Sequence, residues 1–184
     1  MKKMYGMIIC CVFFFVQNSF AGDFTLSSPQ LIPDGRMSHD QVYSGFGCDG
    51  KNISPELNWK NAPANTKSFA VNVYDPDAPT GSGWWHWVVF NVPGDVNQLK
   101  EDAGNVAKGL APAGSIQSRT DYGQPGYGGA CPPAGDKPHR YHFTVYALDV
   151  VSLPLNVDSS AALVGFYLNS HAIDKARLTV HYSR

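Results

Sequence analysis

Two carboxylates and an imidazole stand close together in the stretch DPDAPTGSGWWHWVVFNVP, residues 75–93, and their types suit acid–base work or the holding of an ion. Pro76 and Pro79 bias Asp75 and Ala78 away from the helical region, so Asp75 and Asp77 ride on a stiff, extended loop. After the Gly81-Ser82-Gly83 turn the aromatic run alternates as a strand, with Trp85, Trp87 and Val89 toward one face and His86, Val88 and Phe90 toward the other. The loop can fold back over that strand end and bring its acids to His86. The plain alternative is a core histidine satisfied by a backbone carbonyl. Polar residues on loops beside rigid strands are, however, disproportionately functional.

The elements that must position these groups read mainly as strands. Lys67–Asp75 alternates, Phe69, Val71 and Val73 against Ala70, Asn72 and Tyr74, and delivers the acidic loop at its end. Trp84–Val92 returns antiparallel to it, which puts the Asp/His cluster at one end of a sheet. His139–Leu148 and Arg177–Tyr182 read as further strands, and Phe24–Ile32 as a short one ending at the turn signal Pro33-Asp34-Gly35. Residues 45–59 read as a shaped loop. Residues 94–138 are rich in Gly and Pro, with weak strand signals at Ala107–Leu110 and Gly114–Arg119. Val157–Ser170 is the one credible helix, capped by Asp158 or Ser159 and carrying a Leu163, Phe166, Tyr167 stripe. Short strands with Gly/Pro turns and one late helix predict an all-β-dominated fold, an antiparallel β-sandwich with one or two short helices.

The 184 residues, 43% of them apolar, suit one globular domain. Residues 1–21 read as a cleaved signal peptide: Lys2 and Lys3 form a positive start, Met7–Val16 an apolar run too short to span a bilayer, and Ser19-Phe20-Ala21 a cleavage site before Gly22. Residues 22–184 then form the domain, with no transmembrane segment after processing and a periplasmic or secreted location expected. Removing the leader takes two lysines and no acid, which leaves 12 basic against 15 acidic groups. Without a basic cluster, nucleic acid is not an expected partner. Cys48 and Cys131 remain, and in an oxidising compartment the pair is most simply a disulfide closing a loop of roughly 80 residues, worth about 4–5 kcal/mol on the chain-entropy model. Neither has a nearby CxxC or CxxH partner, so no metal site is expected.

Read in order, GCDGKNISPELNW, YDPDAPTGSGWWHWVVFNVP and YGGACPPAGDKPHRYHFTVYALD resemble the phosphatidylethanolamine-binding protein family, closest to its bacterial branch of YbhB/YbcL-type Raf-kinase-inhibitor-like proteins. The resemblance runs over roughly residues 24–182. It implies a β-sandwich with a small anion pocket at one end. Carried over position by position, that pocket comprises Asp75, Asp77, Pro79, His86, Pro132, Pro133, His139 and Tyr141, with Trp85 and Trp87 shaping its walls. The acids are wrong-signed for an anion, so they are expected to act behind the imidazoles, keeping His86 or His139 protonated while Gly128 and Gly129 offer backbone donors. His39, His142, His171 and His181 read as surface or structural.

The leading functional expectation is therefore a binding or regulatory protein for phosphate or a phospholipid head group, with no cofactor and no catalytic residue. The alternative is a protein inhibitor of a protease or kinase acting through its Gly/Pro-rich loops. A hydrolase using His86, His139 and Asp75 is the third reading, weakened by the absence of a nucleophile elbow or phosphate loop. A protein target and a homodimer both stay open.

Overall fold

The computed structural model describes residues 22–184; the expected leader lies outside the described residues. Ten strands and one α-helix follow in chain order: β1 Thr25–Ser27, β2 Ser44–Gly45, β3 Cys48–Asp49, β4 Leu57–Lys60, β5 Ser68–Asp75, β6 Trp84–Pro93, β7 Gln98–Leu99, β8 Ile116–Gln117, β9 His139–Leu148, α1 Ala161–His171 and β10 Ala172–Tyr182. They form a five-stranded antiparallel sheet in the order β10-β9-β5-β6-β8, a three-stranded sheet β1-β4-β7 and the hairpin β2-β3.

Apolar side chains on one face of the large sheet, among them Val71, Val73, Trp87, Val89, Phe143 and Val145, pack against Leu26, Leu57, Trp59 and Leu99 of the small sheet. This is the sandwich core. The opposite face, Ala70, Val88 and Phe90, is covered by Ala161, Val164 and Leu168 of α1 together with Leu153. Central β5 is thus buried on both faces, with only Tyr74 partly exposed.

Five local expectations need correcting. Strand alternation breaks at His86: Val73 pairs with Trp87 and Tyr74 with Trp85, so His86 is an extra residue without a partner on β5. The bulge turns His86 toward Tyr141, on the side of Trp87, while Trp85 joins Val88 and Phe90 on the helix-covered face. The helix is capped by Ser160, whose Oγ accepts from Leu163 N, because Asn156, Asp158 and Ser159 already close a turn of their own. Its buried stripe is Ala161, Val164 and Leu168, small enough to lie close on the sheet, while Leu163 and Phe166 face outward. Residues 106–108 form a 3₁₀ turn, ended by Gly109 in the left-handed region, where a strand signal was read. Residues 45–59 contain the β2-β3 hairpin and most of β4 rather than a loop throughout.

Candidate functional site

Antiparallel pairing puts the end of β5 beside the starts of β6 and β9, with Asp75 opposite Trp84 and Tyr74 opposite both Trp85 and His142. Asp75, Trp84, His86, His139 and Tyr141 therefore meet at one edge of the sheet. They line a cavity of about 190 Å³. Ala78, Pro79 and Thr80 of the acidic loop close one side, and Tyr122, Cys131, Pro132 and Pro133 of the long Gly/Pro segment another. Phe46 of the hairpin stands at its mouth, 70% exposed.

The polar groups at the floor are bound in a fixed pattern. Asp75 and His139 are both buried, and His139 Nδ1 donates to Asp75 Oδ2 at 2.8 Å. The other carboxylate oxygen, Oδ1, accepts from Asp77 N at 2.8 Å and Ala78 N at 3.1 Å, so one acid shapes the loop and orients the ring together. His139 Nε2 lies 3.4 Å from Asp136 Oδ2. Asp77 faces away from the cavity, where Oδ2 accepts from Arg140 N and Nε and Oδ1 from Arg140 Nη2. The Arg140 guanidinium holds the Asp77 carboxyl well below the usual carboxylate range.

His86 is seated by two glycine carbonyls, its Nδ1 donating to Gly128 O at 2.7 Å and Gly129 O at 3.2 Å. Burial pushes its imidazole below the ordinary value, which favours a neutral ring with the proton on Nδ1. Its Nε2 is buried and has no hydrogen-bond partner, and the same holds for Tyr141 Oη and Trp84 Nε1. Burial also pushes the Tyr141 phenol up, so its O–H stays a donor. Three residues that line the cavity thus carry two orphaned donors and one orphaned acceptor.

Most of the residues expected from sequence converge here: Asp75, Pro79, His86, Pro132, Pro133, His139 and Tyr141 all line the cavity. Asp77 and Trp85 do not, Asp77 because Arg140 draws it outward and Trp85 because the bulge sends it onto Tyr74, with ring centroids 4.4 Å apart. Trp87 is in the sandwich core. The backbone donors expected of Gly128 and Gly129 are already used, Gly128 N by His86 O and Gly129 N by Asn52 Oδ1. It is their carbonyls that serve the site, by seating the His86 ring. Six lining residues were not anticipated in that role: Phe46, Ala78, Thr80, Trp84, Tyr122 and Cys131. An aromatic between two glycines, Gly45-Phe46-Gly47, was the available signal for Phe46.

The Cys48–Cys131 disulfide is formed, with Cα atoms 6.0 Å apart, and ties the hairpin to the Pro132-Pro133 wall. Among the described residues no cluster of three or more His, Cys, Asp or Glu could hold a metal ion, and no helix is long and apolar enough to cross a membrane.

Comparison with known proteins supplies the family. The chain is 48% identical over 180 residues to YbcL of Escherichia coli, a match covering 97% of this chain and 98% of that protein. It is also 48% identical over 158 residues to YbhB of the same organism, covering 86% and 99%. The crystal structure of E. coli YbcL superposes with a TM-score of 0.87 at 49% identity, over 89% of this chain and 99% of that one. Residues 27–183 match the family model for phosphatidylethanolamine-binding protein, and the chain belongs to that family.

Proposed function

We propose that this protein is an exported binding protein whose cavity takes a small anion, either phosphate or the phosphate of a head group, without turning it over. The observation that carries this is the set of three buried, unpartnered polar atoms on residues that line the cavity, His86 Nε2, Tyr141 Oη and Trp84 Nε1. A buried polar group left unpaired costs about 1–3 kcal/mol, so such a set is poised for a ligand. Two donors and one acceptor match a phosphate group holding one proton. Its oxygens accept from Tyr141 and Trp84, and its O–H donates to His86 Nε2. Transfer of that proton to the imidazole gives the same complex with the charges shifted. The negative charge of Asp75 is met by three N–H donors before any ligand arrives. The leader sequence and the disulfide both support export, since disulfides persist in oxidising compartments.

Inorganic phosphate titrated into the purified protein and followed by NMR tests the reading. His86→Ala and Tyr141→Phe are each expected to weaken binding about tenfold, the effect of one hydrogen bond to a charged group, while His181→Ala leaves it unchanged. No binding, or equal binding by wild type and both cavity variants, overturns the proposal.

A further inference from the structure

The hairpin at the cavity mouth has the wrong residue for its turn. Gly45 and Cys48 pair, so Phe46 and Gly47 form a two-residue connection, and both have positive φ, 53° and 81°. That geometry favours Asn-Gly or Asp-Gly, and a bulky side chain at the first position is strained. Strain of this kind persists only where the surroundings hold it, and it gathers at ligand-binding sites. Here the surroundings do hold it. Arg184 donates from Nη1 to Gly47 O at 2.9 Å and from Nη2 to Phe46 O at 3.4 Å, while its Nε bonds Pro132 O at 2.7 Å. The Cys48–Cys131 bond clamps the same two segments.

What the braced turn presents is an aromatic ring. Tyr43 stacks on Tyr122 at 4.2 Å and 23°, and Phe46 lies against Tyr122 at 5.8 Å and 28°. Phe46 also lies 5.6 Å from Tyr43, tilted at 50°, so the three rings form one cluster, and Phe46 is 70% exposed while lining the cavity. Tyr122 also touches His86, edge-on at 5.6 Å. His86, Trp84, Tyr122, Pro132, Pro133 and Phe46 line the same cavity, so one small molecule can touch both His86 and Phe46.

We infer that Phe46 is a specificity-determining residue that stacks on the ligand, and that the ligand class is an anion bearing a planar aromatic substituent directly beside its charged group. This rests on the anion reading above. The anionic head meets His86 and Tyr141, and the aromatic ring stacks on the exposed Phe46. A saturated chain of the same length gains less there, because it lacks the offset-stacking term.

Calorimetric titration of inorganic phosphate, butyl phosphate and phenyl phosphate tests this in wild type and in Phe46→Asn, which suits the turn and is expected to fold with undiminished thermal stability. Wild type should bind phenyl phosphate about three- to tenfold more tightly than butyl phosphate, and Phe46→Asn should lose that preference. If inorganic phosphate binds and the aryl and alkyl esters bind equally, or if the preference survives in Phe46→Asn, the stacking role is wrong and the anion site stands. If none of the three binds wild type, both readings fall.

Discussion

At the scale of single residues the cavity depends on groups whose partners are already assigned. Asp75 accepts from a ring nitrogen and two backbone amides in a buried setting, so Asp75→Ala leaves three N–H donors unmatched. A loss of about 3–5 kcal/mol is expected, the usual cost of breaking a buried pair from one side, read as a lowered urea midpoint at unchanged m-value. His86 makes a different prediction. Its imidazole is pushed below its unfolded value of about 6.5, so its contribution to stability is present above that pH and is lost as pH falls through it. An anion that shares a proton with Nε2 reverses the penalty. A phosphomonoester, which keeps its last proton at pH 5.5 and has lost it by pH 8, should therefore raise the melting temperature more at pH 5.5 than at pH 8, and His86→Ala should remove the difference; a larger effect at pH 8 would contradict the shared proton. The identities of Asp75, Pro79, His86, Pro132, Pro133, His139 and Tyr141 were legible in the sequence because they sit in long motifs. Their electrostatics were not. Which acid faces inward was decided by Arg140, which follows His139 in sequence yet reaches across to Asp77.

At the scale of elements, the strands that carry the site could be read from alternation, since β5, β6 and β9 follow it closely enough to mark their extents within one or two residues. What alternation could not show was the bulge, one extra residue that changes the face of His86 and puts Trp84, rather than Trp85, at the cavity. The helix stripe was misread because several apolar residues compete on α1, and contact with Val88 and Phe90 chose the smaller set. Glycines tell the same lesson at the long loop. A Cβ on Gly128 would land on the Tyr122 ring, and one on Gly129 on the backbone of Gln41 and Tyr43. Gly128→Ala is expected to cost about 1–3 kcal/mol and to weaken phosphate binding, since the loop that must yield also seats His86 through its carbonyls. Tight phosphate binding by a stable Gly128→Ala protein would show that the loop's position is not needed.

At the scale of the whole molecule, a cavity made where one strand leaves and two enter, its mouth braced by Arg184 and the Cys48–Cys131 bond, is an arrangement fitted to holding a group still. Whether it also reacts depends on a nucleophile, and the hydroxyls on the cavity wall are unsuited to that part. Thr80 Oγ1 donates to Gly83 O, Tyr122 Oη donates to Gly129 O, and burial raises the pKa of the Tyr141 phenol. The Asp75–His139 pair has the form of a base held by its orienting acid, but His139 Nε2 looks toward Asp136 instead of a hydroxyl. On the proposed binding reading, the cavity recognises its ligand without an attacking atom. Phosphomonoester, phosphodiester and peptide substrates are therefore expected to survive incubation with the purified protein, with or without added Zn²⁺ or Mn²⁺. Hydrolysis that disappears in both His86→Ala and Asp75→Ala would replace the binding reading with a catalytic one, because a contaminating hydrolase would be indifferent to either substitution.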